Sequence, residues 1–188
     1  ADATTDPTWA AIDVLVQAEH GPDGLAWLVT WEEEALVAIA EAVDRLLADQ
    51  PRRADIEATL LEGGYAVLCR DREQAMAVAN LIAPEHLELL VAEPEALLPL
   101  VRHAGAVFTG MYGTASLGDY VAGPSHVLPT YGSARFSSAL RVDDFIKTVH
   151  VISADSEAFA RLGPHVAVLA DAEGLAAHAQ SVRLRGPR

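Results

Sequence analysis

Cysteine is nearly absent from this sequence, which has one, Cys69, among 188 residues. A single thiol excludes an intramolecular disulfide and any metal cluster built from several thiolates. Cys69 ends an apolar run that begins at Tyr65, so we expect a buried and chemically inert side chain. Lysine and arginine are also scarce, with 13 against 27 acidic residues and a formal net charge of −14. We therefore expect no nucleic-acid partner, because binding to a phosphate backbone needs clustered cations.

Long hydrophobic runs are also missing, although 51% of the residues are hydrophobic. No stretch approaches the roughly 20 apolar residues that cross a bilayer, so we expect no membrane partner and a cytoplasmic protein. The sequence has no G-x-G-x-x-G motif, and we identify no cofactor-binding residue in it. A nucleotide-dependent enzyme containing this chain would therefore bind the nucleotide mainly in another part.

Helical and strand patterns alternate along the first 110 residues. Helices are predicted from Asp6-Pro7 to about His20 and over 32–48, 54–61, 72–82 and 94–101. Strands are predicted over 26–30, 65–69, 87–91 and 106–109. This alternation predicts βαβ units and a parallel sheet covered on both faces. The predicted fold class is α/β, an incomplete Rossmann-like parallel sheet with flanking helices and a small helical C-terminal extension.

Three segments are predicted along the chain. Residues 1–140 form the Rossmann-like portion, which closes with a Gly- and Pro-rich loop from Gly110 to about Gly132. Residues 141–166 connect this portion to a helical tail over 167–188, after a helix break at Gly163-Pro164. The tail has too little apolar surface to fold alone, so we expect it to dock on another surface.

Several side chains could carry chemistry. Gln17 and His20 lie three residues apart at the end of the first helix, a spacing that places both on one face for a metal ion or simply in solvent. Glu85 and His86 stand side by side between a helix and a strand, where a carboxylate and an imidazole could act as paired base and acid or belong to a surface loop. Further candidates are Asp119 and His126 in the long loop, and Glu173 and His178 near the C-terminus.

In this order, the motifs resemble the histidinol dehydrogenase family. The similarity covers essentially the whole chain. It rests on the segments 17–20, 80–87, 118–120 and 126–130 and is extended by 134–138 and 173–178. The runs 83–87 and 118–130 are the most specific of these. The resemblance implies the C-terminal portion of a zinc-dependent enzyme that oxidises L-histidinol through the aldehyde to L-histidine in histidine biosynthesis. It also implies NAD as the oxidant, with most of the NAD-binding part lying outside this sequence.

The resemblance assigns a role to each candidate residue. It implies that Gln17, His20 and Asp119 bind Zn²⁺ in one subunit, and that His178 completes the site from the other subunit of a homodimer. It implies that His86 acts as the general base and that Glu85 activates water. Substrate contacts are implied for the following residues: Gln17, His20, His86, Asp119, His126, Glu173 and His178.

Two positions depart from the family pattern. Ala115 stands where family members usually have a glutamate, and Ser125 stands where an asparagine is usual. Both lie near Asp119, so support for the metal could differ here. Two other interpretations stay open: a related zinc- and NAD-dependent dehydrogenase of another small polyol, and a non-catalytic fragment or dimerisation module that keeps the fold.

Overall fold

The computed structural model describes residues 1–21 and 23–185. Pro22, part of the predicted turn after the first helix, and residues 186–188 of the predicted tail lie outside the described residues. The chain divides into two compact units, 1–145 and 146–188. The first unit thus extends five residues past the predicted boundary at 140. The separation of a connecting segment from a docking tail stays a prediction.

The first unit alternates helices and strands as predicted. Its elements are α1 (Pro7–Ala18), β1 (Ala26–Thr30), α2 (Glu33–Leu47), α3 (Arg53–Gly63), β2 (Gly64–Leu68), α4 (Arg72–Ile82), β3 (His86–Leu89), α5 (Pro94–Leu97), β4 (Ala106–Thr109) and α6 (Ala115–Tyr120). Short 3₁₀ turns occupy Leu98–Leu100, Ser133–Arg135 and Val142–Phe145.

Local sequence explains where the helices begin. The Asp6 carboxylate accepts a hydrogen bond from the Thr8 N–H at 2.8 Å, and Pro7 occupies the first helical position of α1. Asp71 caps α4 in the same way by accepting from the Gln74 N–H at 2.7 Å. Both caps satisfy backbone donors that have no partner within the helix.

The strands form two parallel pairs within the described residues. Strand β1 pairs with β2 from Ala26↔Gly64 to Thr30↔Leu68, and β3 pairs with β4 from His86↔Ala106 to Leu89↔Thr109. The fold class is therefore α/β with short parallel sheets. Strand β2 is not covered on both faces as predicted, because Tyr65 and Leu68 are 46% and 49% exposed.

Helix α1 lies at the centre of the first unit. Ala10 and Ala11 pack against Ile39 of α2, while Leu15 and Ala18 pack against Ile56 of α3. Small side chains on α1 let its backbone approach these neighbours closely. This packing fixes the direction in which the residues at the end of α1 point.

The second unit contains α7 (Ser156–Ala172) and α8 (Ala176–Arg183), which pack against each other across a turn at Gly174 with φ 74°. An ion pair between Arg183 and Asp171 joins the two helices. The predicted helix break at Gly163-Pro164 was wrong, since α7 continues through Pro164. Proline removes one backbone donor from the helix but does not end it here.

None of the described helices is both long enough and apolar enough to cross a membrane.

Candidate active site

Three side chains from three elements meet at the amino end of strand β3. The Oε1 atom of Gln17, on α1, lies 3.2 Å from Nδ1 of His86. The Oδ1 atom of Asp119, on α6, lies 3.6 Å from Nε2 of the same imidazole. We call this set, Gln17, His86 and Asp119, the site rung. His86 therefore lies beside one predicted residue that is 69 positions away in the sequence and beside another from a different helix.

His86 is held by the connection between α4 and β3. Ala83 ends α4 in a left-handed conformation, with φ 53°. The chain then turns through Pro84, and the Glu85 carbonyl accepts a hydrogen bond from the Ala106 N–H at 2.8 Å. A side chain at Gly105 would meet that carbonyl, since its Cβ would lie 2.6 Å from the oxygen. The close pairing of the two strands thus fixes the backbone that carries His86.

Asp119 reaches the site from helix α6, which lies inside the segment predicted as a loop from 110 to 132. That part of the prediction was wrong, because six residues form a helical turn and a half. Gly118 permits the approach, since a Cβ there would lie 2.6 Å from the ring of Phe108 on β4. The glycine that precedes Asp119 therefore lets α6 pack closely onto the sheet.

The contacts of His86 determine what its ring can do. An amide oxygen accepts hydrogen bonds, so Gln17 favours the tautomer in which Nδ1 carries the proton. The lone pair is then on Nε2, beside the Asp119 carboxylate. When Nε2 accepts a proton, the ring and the Asp119 carboxylate form an ion pair. The arrangement suits a general base whose side chain is only 10% exposed.

A cavity of about 880 Å³ opens beside the site rung. Its lining includes Gln17, His86 and two further predicted residues, His20 and Glu85. His20 lies just past the end of α1 and is exposed, while Glu85 is half-buried. A cavity of this volume is in the range of sites that bind small molecules.

The remaining predicted residues are placed elsewhere. His126 is exposed in the segment after α6. Glu173 follows the last residue of α7 and His178 lies in α8, both exposed in the second unit. Among residues 1–21 and 23–185, no three His, Cys, Asp or Glu side chains are grouped closely enough to hold a metal ion. The roles of these residues in metal and substrate binding stay predictions.

A second set of side chains lies next to the site rung and was missed by the sequence analysis. Asp13, on α1, shares a hydrogen bond with Glu88, on β3. The Glu88 carboxyl accepts from the Ala115 N–H at 2.6 Å, and the Thr114 hydroxyl donates to Asp13 at 3.0 Å. We call these four residues the carboxyl rung. Their spacing in the sequence could have identified them. Asp13 lies one helical turn before Gln17, and Glu88 lies two strand residues after His86, so each faces the same side as its predicted neighbour.

Burial raises the pKa of the Glu88 carboxyl to about 8. The Ala115 N–H opposes this shift, and the charge and hydrogen bond of Asp13 reinforce it. Two carboxyl groups can share a hydrogen bond only when one of them carries a proton. Glu88 is therefore protonated at neutral pH and donates to Asp13.

This raised pKa predicts how stability depends on pH. Folded Glu88 keeps its proton up to about pH 8, whereas an unfolded chain releases it near the ordinary value of 4.5. The contribution of Glu88 to the free energy of unfolding is therefore complete below pH 4.5 and is lost as the pH rises to about 8. Over this range the free energy of unfolding of the wild type should fall by on the order of 4 kcal/mol. Glu88→Gln keeps the shape of the side chain and cannot ionise, so this fall should be absent. Melting temperatures from pH 5 to 9 test this, with the exposed Glu41→Gln as control; equal pH slopes for Glu88→Gln and wild type would contradict it.

Comparison with known proteins decides the family. The model of the family described as histidinol dehydrogenase matches residues 1–186. The chain belongs to the histidinol dehydrogenase family. A histidinol dehydrogenase of Thiocapsa roseopersicina is 47% identical over 185 residues, and one of Pseudomonas aeruginosa is 50% identical over 185 residues. The crystal structure of histidinol dehydrogenase from Elizabethkingia anophelis superposes with a TM-score of 0.92 at 36% identity.

The chain spans only part of most of these histidinol dehydrogenases. In all three comparisons 98% of the chain is matched. It covers 79% of the Thiocapsa protein, but 42% of the Pseudomonas protein and 42% of the Elizabethkingia chain. The sequence therefore corresponds to about two fifths of a full-length histidinol dehydrogenase of the Pseudomonas kind.

Proposed function

We propose that this chain is the part of a histidinol dehydrogenase that binds L-histidinol and transfers its proton. The observation that carries the proposal is the contact of His86 with both Gln17 and Asp119, in a chain of this family. Membership of the histidinol dehydrogenase family supports the reaction that we assign, the oxidation of histidinol through the aldehyde to histidine. The site rung supplies the base that this reaction requires.

The site rung can accept the proton that the substrate hydroxyl loses. An alcohol loses its hydroxyl proton as its carbon is oxidised, so a base must lie within hydrogen-bonding reach. Nε2 of His86 takes that proton, and Asp119 stabilises the resulting charge. Glu85, which lines the same cavity, activates the water that the aldehyde needs before the second oxidation. NAD accepts the hydride when bound, and we expect it to be held mainly by the rest of the full-length protein.

The donor atoms near the cavity fit zinc. An amide oxygen, an imidazole nitrogen and a carboxylate oxygen, from Gln17, His20 and Asp119, are ligands that zinc accepts. Two of these residues already contact His86. Zinc would hold and orient the amino alcohol there. Three ligands from this unit leave a fourth position, which we assign to His178 of a second copy in a homodimer.

Zinc binding gives a direct prediction. Full-length protein, meaning this sequence within a chain of the length of the Pseudomonas relatives, should carry about one zinc per site after purification without chelators. His20→Ala and Asp119→Ala should each weaken zinc binding by roughly 10-fold or more, because each removes a ligand. Elemental analysis and competition with a chromophoric chelator measure both quantities. His103→Ala removes an imidazole that we assign no role and should bind zinc normally; a folded dimer that takes up no zinc would refute the assignment.

The function itself is tested by substrate turnover. Full-length protein should reduce NAD with L-histidinol and produce histidine, while polyols without the imidazole and amine should react far more slowly. Preference for another polyol would favour the related dehydrogenase. Zinc binding without turnover of any alcohol would favour a non-catalytic module instead.

A further inference from the structure

The carboxyl rung runs alongside the site rung across the same three elements. In the carboxyl rung, α1 contributes Asp13, β3 contributes Glu88 and α6 contributes its amino end. In the site rung, the same three elements contribute Gln17, His86 and Asp119. The two rungs therefore cross the same helix–strand–helix layer side by side.

The spacing of the two rungs is matched by backbone geometry. Residues four apart on a helix rise by about 6 Å, and residues two apart on a strand rise by about 6.6 Å. Alternate residues on a strand also point to the same face, so Glu88 and His86 face the helices together. Hydrogen bonds made within the carboxyl rung thus set the distance of α1 and α6 from β3 in the site rung.

We propose that the carboxyl rung is a positioning device that sets the geometry of the site rung. Three of its members, Asp13, Glu88 and Ala115, line the same cavity as the site rung. Its hydrogen bonds fix α1 and α6 relative to β3 at the level just beyond His86. The inference rests on the proposed function for its catalytic consequence, while the geometry it describes does not depend on that function.

The hydrogen bonds explain why this rung can hold the helices in place. Glu88 binds the backbone N–H of Ala115, the first residue of α6, which has no partner within that helix. Thr114, the residue before α6, donates its hydroxyl to Asp13 on α1 instead of capping its own helix. The helix that carries Asp119 is thereby joined through side chains to both the strand and the helix of the site rung.

Substitutions at Glu88 separate positioning from simple stability. In the full-length protein, Glu88→Ala should lower kcat by about 10-fold or more with a smaller change in KM, because misplaced groups impair the transition state most. It should also weaken zinc binding by roughly 10-fold. Glu88→Gln keeps an oxygen for Ala115 and an N–H for Asp13, so it should restore most of both quantities. Asp71→Ala, which removes a helix cap far from the rung in the sequence, is the control for lost stability and should leave both unchanged.

A function-independent measurement uses the reactivity of His86. Modification by diethyl pyrocarbonate, followed peptide by peptide in a mass spectrometer, should be several-fold faster at His86 in Glu88→Ala than in wild type or Glu88→Gln. His103 in the same digests is the internal reference. If Glu88→Ala does not fold, Thr114→Val, which removes only the hydroxyl, should show the same changes at smaller size.

The outcomes distinguish the two proposals. If wild type binds zinc and oxidises histidinol but Glu88→Ala matches it in kcat, zinc affinity and His86 reactivity, the positioning role is overturned and the proposed function stands. If wild type shows neither zinc binding nor turnover, the proposed function fails. His86 reactivity then decides the positioning role by itself, since unchanged modification rates in Glu88→Ala would overturn it.

Discussion

His86→Asn in the full-length protein should lower turnover of histidinol by roughly 100-fold or more, the usual contribution of a general base. Asparagine can still donate a hydrogen bond to Gln17 in place of Nδ1–H, so the local structure should survive. It has no basic nitrogen at the position of Nε2, beside Asp119. Steady-state kinetics should therefore show a large fall in kcat and a much smaller change in KM.

Controls for this experiment come from the chain itself. His103→Asn makes the same chemical change at a histidine outside the site rung and should leave kcat near the wild-type value. The melting temperature and zinc content of His86→Asn should also stay close to wild type. Turnover within a few-fold of wild type in His86→Asn would remove His86 from the mechanism.

Sequence patterns predicted the elements of the first unit well where local signals were strong. Strands β1 and β4 and helix α4 have the predicted bounds, because turn residues or caps such as Asp71 mark their ends. Cys69 is buried, as its apolar context predicted, and burial raises the pKa of its thiol. Each of these features depends on neighbours in the sequence.

Features set by distant packing were harder to predict. Helix α1 is apolar on most sides, and the residues that suggested it, including Trp9 and Ile12, are 40% and 36% exposed. The fully buried positions are Ala11, Leu15 and Ala18 instead, because the neighbouring helices approach the side of α1 that carries mostly small residues. Composition along a helix of this kind does not reveal which face meets a partner.

The candidate site was likewise predictable in part. Gln17, Glu85, His86 and Asp119 were singled out from motifs, and the fold places three of them in one rung. Glu88 escaped notice because a glutamate in a short strand is usually exposed, and its partner comes from α1. A half-buried carboxyl pair of this kind can be identified only once the packing of the helix against the strand is known.

Loss of His178, the fourth ligand of the proposed zinc site, should also have a large effect on activity. His178 lies in helix α8, in a unit separate from the one that carries Gln17, His20 and Asp119. Helix α8 has eight residues and little apolar surface, so it depends on packing against other elements for its stability. We expect the second unit to place His178 at the site of the partner subunit, which makes two equivalent shared sites in a twofold dimer.

Subunit mixing tests this arrangement. His178→Ala and His20→Ala homodimers should each be nearly inactive, because every site in them lacks one ligand. In a mixed dimer with shared sites, one site receives both lesions and the other keeps every ligand. The purified heterodimer should then recover towards half of wild-type activity, and a statistical mixture of the two variants towards about a quarter. If each subunit instead uses its own His178, every site keeps one lesion and mixing should restore nothing. Mixing two preparations of His178→Ala is the control for exchange itself and should stay inactive in either case.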